Sequence, residues 1–204
     1  MKILSAALVF VAAGSAFAAK STEGSFLEAA PGYTGVANTE RSGFVTPIDV
    51  TGINSFDSLG TPGNTIVDIQ VGANNIINGI GWDVVLTALG ASWRSELRVA
   101  FGDSAGTQSL FLRPGNDNTP GGPTNYTSGG IIKLADAGVP DFAVGADGIL
   151  RLEFFESYDD ISGAVDGVWN SGSLFIQTVN PVPTPAGAGL LALAGVGLLG
   201  RKRR

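Results

Sequence analysis

The chain has 204 residues, a net charge of −6, 30 glycines, 10 prolines and a mean hydropathy of +0.26. It holds no cysteine and no histidine, which excludes disulfide scaffolds, thiol catalysis, Cys/His zinc sites and every nucleophile that needs an imidazole base. The length argues for one domain, and a chain this apolar, with 15% charged residues, is not wholly disordered.

Residues 1–18 read as a signal peptide. Lys2 supplies the positive start and Ile3 to Ala13 the apolar stretch. Ala16-Phe17-Ala18 supplies a small-x-small cleavage site. The apolar stretch is short for a bilayer span. The expected mature chain starts near Ala19, outside the cytoplasm, after passage through the Sec translocon and cutting by signal peptidase at Ala16 and Ala18. Residues 19–42 are rich in Ser, Thr and Gly and hold one edge strand or none.

Residues 43–180 read as one domain of short strands. Val67, Ile69 and Val71 alternate with Asp68 and Gln70. Ile80, Trp82, Val84 and Leu86 alternate with Gly81, Asp83, Val85 and Thr87. Leu97, Val99 and Phe101 repeat the pattern, as do Leu150, Leu152 and Phe154, and then Leu174 and Ile176. Period two with one apolar face marks half-buried antiparallel strands. Turn clusters separate them, such as Thr61-Pro62-Gly63-Asn64 and Ala146-Asp147-Gly148. Ile131 to Ala137 fits one short turn, and Arg113 to Gly130 reads as a long surface loop. The expected fold is all-β: an antiparallel β-sandwich or jelly roll, flanked by the signal peptide and a C-terminal apolar sorting helix.

The stretch from Asp147 to Asp160, a strand ending in an acidic loop, leads to Gly167-Val168-Trp169-Asn170-Ser171-Gly172-Ser173-Leu174 and a final strand. This order is similar to the proprotein-convertase P domain, a jelly-roll sandwich, over about residues 65–179. Leu97 to Phe101 and Ser109 to Gly115 fit that domain's earlier hairpin. The resemblance implies a non-catalytic accessory module.

The sharpest local feature is the acidic set Glu153, Glu156, Asp159, Asp160 and Asp166. Calcium takes six to eight oxygen ligands from carboxylates and carbonyls, and Asp159, Asp160 and Asp166 on one loop are the candidate ligands. The spacing is not that of an EF-hand. A solvated acidic turn is the plainer alternative. Trp93 follows the turn Gly90-Ala91-Ser92 and is the candidate sugar-stacking residue. Trp82 sits on the apolar side of its strand and belongs to the core, whereas Trp169 is placed in the turn before the last strand, capping the sandwich end. No G-x-S-x-G elbow, Walker loop or dinucleotide fingerprint occurs. Catalytic residues are therefore none, and the chain is read as no enzyme. A glycosidase pair of carboxylates cannot be nominated among 18 acids.

The chain closes on Pro181-Val182-Pro183-Thr184-Pro185, then fifteen residues from Ala186 to Gly200 without a polar side chain, then Arg201-Lys202-Arg203-Arg204. The prolines make a stiff linker, and a basic cluster after an apolar run is a positive-inside signal. Pro-x-Pro, a short apolar helix and a terminal basic cluster resemble the PEP-CTERM sorting signal of bacterial surface proteins. Thr184 stands where that family has Glu. An ordinary tail anchor is the alternative. The resemblance implies an exosortase-type enzyme cutting near Pro183, Thr184 and Pro185, transient membrane anchoring through the apolar segment, and delivery to the cell envelope or exopolysaccharide matrix.

Without the ends, residues 19–180 keep seven of the twelve basic residues and all eighteen acidic ones, a net of −11. Such a body repels nucleic acid and suits divalent cations or plain solubility. The leading expectation is a secreted, surface-sorted, non-catalytic β-sandwich protein with a structural or adhesive role. A calcium- or carbohydrate-binding module is the second, and a two-carboxylate polysaccharide hydrolase the third. No cofactor is required, with calcium as the one candidate.

Overall fold

The computed structural model describes residues 26–36, 42–116 and 120–180. The cleavage residues Ala16 and Ala18, and the tail residues Pro183, Thr184, Pro185 and Arg201 to Arg204, lie outside the described residues. Among the described residues the chain is all strand and turn. In chain order the strands are β1 (Phe26–Ala29), β2 (Phe44–Asp49), β3 (Ile53–Ser55), β4 (Thr65–Gln70), β5 (Ile76–Ala88) and β6 (Leu97–Asp103). Then come β7 (Gln108–Arg113), β8 (Gly121–Thr127), β9 (Ile132–Lys133), β10 (Phe142–Ala143), β11 (Ile149–Glu156) and β12 (Gly167–Val179).

All pairings between these strands are antiparallel. The first sheet has the order β1-β7-β6-β11-β4. The second is built on β5 beside β12. Along the far side of β5 lie β10, β9 and β8 in series, at Ile76–Ile77, Gly79–Ile80 and Asp83–Ala88. Along the far side of β12 lie β3 and then β2. With β2 and β3 counted as one broken strand, and β8 to β10 as another, this order is that of a jelly roll, with β1 added at the edge of the first sheet.

The alternation read from sequence decides which face each strand buries. Leu97, Val99 and Phe101 of β6, Leu110 and Leu112 of β7, and Leu150, Leu152 and Phe154 of β11 are all fully buried on one face of the first sheet. Ile80, Trp82, Val84 and Leu86 of β5 and Trp169, Leu174 and Ile176 of β12 face them from the second. These residues form one continuous core. The two layers meet at Phe154 and Trp169, whose rings sit edge to face at 5.0 Å, a geometry that adds to the burial of both.

Two local expectations are corrected. Arg113 to Gly130 is not one long loop, because β8 occupies Gly121–Thr127 and pairs with β5. Its side chains are mostly exposed, so no period-two apolar signal marks it. Backbone pairing holds it, with Tyr126 entering the core and Arg94 donating to the Tyr126 hydroxyl at 3.1 Å and the Gly122 carbonyl at 2.9 Å. Trp169 is not a cap in a turn. It lies inside β12 at 0% exposure, because that strand runs seven residues longer toward its start than the Leu174 alternation implies. The short turn at 131–137 forms directly after β9, closed by Ala137 N–H donating to the Lys133 carbonyl at 3.3 Å.

The early part of β12 needs a break in register between Trp169 and Ser171. Gly172 sits just beyond it at φ +108°, where a Cβ would stand 2.1 Å from the Asp83 carbonyl oxygen. Only glycine combines that backbone angle with that approach.

Candidate functional site

The chain crosses between the two sheets from β11 to β12 through residues 157–166, at one end of the sandwich. The β5–β6 crossing, residues 89–96, reaches the same end. Leu89 N–H donates to the Asp166 carbonyl at 2.8 Å, and Ser157 N–H to the Glu96 carbonyl at 3.0 Å. The β3–β4 connection joins them. Glu156 N–H donates to the Asp57 carbonyl at 2.9 Å, and Gly163 N–H to the Asp57 carboxylate at 2.9 Å. Asp166 N–H donates to the Ser55 carbonyl at 3.1 Å. Three connections are thus tied around one acidic group.

Glu156 is its centre. Leu150, Leu152 and Phe154 point into the core, and two residues on the same period puts Glu156 on that face as well. It is 0% exposed. Neither of its carboxyl oxygens has a hydrogen-bond partner of ordinary geometry. The nearby Ser55 hydroxyl, which accepts from the Trp169 indole at 3.3 Å, favours the charged form only in part. Burial first, then the charges of Asp166 and Glu96, push the Glu156 carboxyl up to about 9.

Asp166 is also 0% exposed. One oxygen accepts from the Asp160 N–H at 3.2 Å and the Ile161 N–H at 3.4 Å, and the other has no partner. Burial raises its pKa, those two amides lower it, and Asp159 and Asp160 raise it further. Glu96 accepts from the Trp93 N–H at 2.7 Å. Burial raises its pKa against that bond, and Asp160 and Asp166 add to the rise. Arg98 acts in the other direction at Glu96. One oxygen of half-buried Asp159 is shut from solvent without a partner. Buried carboxylate oxygens without donors are costly, and four of them gather here.

The sequence candidates therefore divide. Asp159, Asp160 and Asp166 do come together, on one connection. Glu153 leaves the group, because its odd place on β11 turns it to the outer face. There it accepts from the Gly60 N–H at 2.6 Å and the Asn64 amide at 2.8 Å. Glu156, already in that acidic set, stays at its centre, and Glu96 joins it. Glu96 carried no signal in its own run, whereas Glu156 was marked by the Leu150, Leu152, Phe154 alternation. Among the described residues no three acidic side chains converge closely enough to enclose a metal ion as they stand.

Trp93 stands beside this group through its N–H bond to Glu96, with 41% of its surface exposed. Leu89 on the same connection, and Tyr158 and Ile161 on the β11–β12 connection, are exposed too. Four exposed apolar or aromatic side chains thus form a rim on the two connections at the acidic end. A cleft of about 220 Å³ lies elsewhere, on the outer face of the first sheet, lined by Ile66, Ala100, Gly102, Asp103, Arg151 and Glu153. Its charged groups are already fixed in place, since Arg151 holds Asp68 through two bonds of 2.8 Å and Glu153 holds the β3–β4 connection.

No family model matches the chain, and no curated protein does. Among solved structures, it is similar to a chain of the infectious bursal disease virus Gx strain at 17% identity and a TM-score of 0.34, over 70% of this chain and 33% of that one. A chain of the Gt strain of the same virus is similar at 16% identity and a TM-score of 0.32, over 74% and 36%. The chain thus spans about a third of the length of each.

Proposed function

We propose that this is an exported, surface-sorted, non-catalytic β-sandwich protein with a structural or adhesive role in the cell envelope or exopolysaccharide matrix. One observation carries the reading: the last described strand closes just ahead of the segment that resembles a sorting signal. The last strand stops at Val179, and Pro181 opens the linker, apolar run and basic cluster. A proline-rich sequence favours an extended backbone, the form a processing enzyme takes up. The apolar run halts export, and Arg201, Lys202, Arg203 and Arg204 stay on the cytoplasmic side. The sequence pattern that resembles the proprotein-convertase P domain supports an accessory role. The net acidity of the body supports contact with polymers and ions rather than nucleic acid. In the adhesive role, the exposed rim of Trp93, Leu89, Tyr158 and Ile161 is the face offered to polymer, with Trp93 stacking on sugar.

Replacing Arg201, Lys202, Arg203 and Arg204 together with neutral residues in the native host tests this reading. Cell fractionation and immunoblotting are expected to show unprocessed protein accumulating and surface material falling several-fold. An unchanged processed product at the surface would overturn it.

A further inference from the structure

The outer face of the first sheet is not flat. Its middle strand, β6, carries the small residues Ala100 and Gly102 there. Ala100 stands across from Glu153 of β11. Gly102 stands between Arg151 of β11 and Gln108 of β7. The longer side chains rise on both sides, so the face dips along β6 into the cleft of about 220 Å³. The backbone enforces this dip. A Cβ at Gly102 would collide with the Thr107 carbonyl oxygen, so no side chain can fill the place. Ile66 of β4, beside Glu153, forms an apolar wall.

Three polar groups at this cleft are fixed by bonds made elsewhere, and each keeps one atom open. Arg151 gives Asp68 its Nε and Nη2, each at 2.8 Å, which leaves Nη1 as a donor. Glu153 is 9% exposed, and the Gly60 N–H and the Asn64 amide both donate to its Oε1. Its Oε2 is left to accept. Asp103 has one oxygen held by the Thr107 N–H at 2.9 Å and the other open. Groups locked in this way lose little side-chain freedom when a ligand arrives.

We propose that this cleft is a binding site for a neutral sugar ring, held through its hydroxyls.

Size limits the ligand first. Pockets for drug-sized molecules run about 300–1,000 Å³, so this cleft has room for a single ring. Each hydroxyl both donates and accepts, which suits an open donor at Arg151, open acceptors at Glu153 and Asp103, and the Gln108 amide. Arg151 and Glu153 are two residues apart on one face of β11, so their side chains leave the sheet about 7 Å apart, wide enough to bracket one ring. Charge sets the class. Asp68, Asp103 and Glu153 outweigh Arg151, which repels a uronate or a sulfate, and the Arg151 guanidinium opposes an amine. Ile66, 53% exposed, and Ala100 offer an apolar surface to the C–H face of the ring. The site is separate from the Trp93 rim, and it rests on the adhesive reading only for the source of the sugar.

The test is an amide-resolved NMR titration of the purified protein with glucose, galactose and mannose, and with the uronate and the amino-sugar counterpart of each. At least one neutral hexose is expected to shift the amides of Gly60, Gly102 and Arg151, with a Kd of about 1–10 mM, the weak range of a ligand with few contacts. Its two charged counterparts should bind several-fold more weakly. Glu153→Gln keeps an oxygen for Gly60 and Asn64 but turns the open acceptor into a donor, so it should weaken binding at least about tenfold. Gln108→Ala removes an amide that no strand pairing needs and should weaken binding about three- to tenfold. Absence of shifts with every neutral hexose would overturn the site, as would a uronate that binds as tightly or a Glu153→Gln protein that binds as well as the parent. Shifts confined to the amides of Leu89 and Trp93 would also overturn it, and would leave the adhesive reading standing at the rim.

Discussion

Glu156 occupies the position a leucine or phenylalanine would take if the period of β11 simply continued. Its carboxyl lies beyond Phe154 on the core face, beside Asp166 and Glu96, and burial lifts its pKa to about 9 from an ordinary 4.5. At neutral pH it therefore holds a proton that the unfolded chain has lost. The folded state binds more protons than the unfolded one between those two values, so the stability associated with this group is complete below about pH 4.5 and is lost as pH rises toward about 9. Asp166 and Glu96, also raised, act in the same direction. Asp49, Asp68 and Asp147 are lowered and act in the opposite one, but they are exposed and solvent screens them. The urea midpoint of the protein is expected to fall between pH 5 and pH 8, and Glu156→Gln should flatten that fall. A midpoint that climbs across the same range in the parent would show that the carboxyl is not held neutral.

At the scale of elements, the two long strands β5 and β12 organise the second sheet, and the short strands are fitted to them. β12 can serve β3, β2 and β5 together only because its register shifts between Trp169 and Ser171. Gly172 makes that shift possible by letting the backbone come against the Asp83 carbonyl. Gly172→Ala is expected to destabilise the protein by more than about 2 kcal/mol, through strain at a positive φ and a main-chain clash. Chemical denaturation measures this, and an unchanged midpoint would mean that the strand pair tolerates a different register. β8 illustrates the reverse case, an element with little pattern of its own. Gly121, Gly122 and Pro123 look like loop residues, yet the edge of β5 supplies pairing partners, and Arg94 and Tyr126 secure the segment.

At the scale of the molecule, the core runs as one cluster from Leu27 to Ile176. Val179, the last buried position among the described residues, is two residues short of Pro181. Removing residues 181–204 is therefore expected to leave the Tm of the purified protein unchanged, within about 1 °C. Differential scanning calorimetry would show this, and a drop of several degrees would mean that the tail packs on the sandwich. The jelly-roll order brings the β3–β4, β5–β6 and β11–β12 connections to one end. That is why acids from residues 57, 96 and 156–166 meet there despite their distance along the chain.

The all-β class, the core faces of β4, β5, β6 and β11, the burial of Trp82 and the exposure of Trp93 were all legible in the sequence, because period two with one apolar face leaves a strand one way to turn. The acidity of the body was legible by counting. The pairing of strands was not, since any two alternating strands are chemically compatible and long-range register depends on the whole sheet. For the same reason the edge strand β8 and the burial of Trp169 came only with the tertiary structure. The acidic group shows the division most clearly. Asp159, Asp160 and Asp166 stand near one another along the chain, but Glu96 is brought to them by a crossing between sheets. Glu153 and Glu156, three residues apart, are sent to opposite faces by the pleat. Local pattern decides which way a side chain points; only the packed sandwich decides what it meets, because burial and neighbouring charge belong to the assembled fold and not to any one segment.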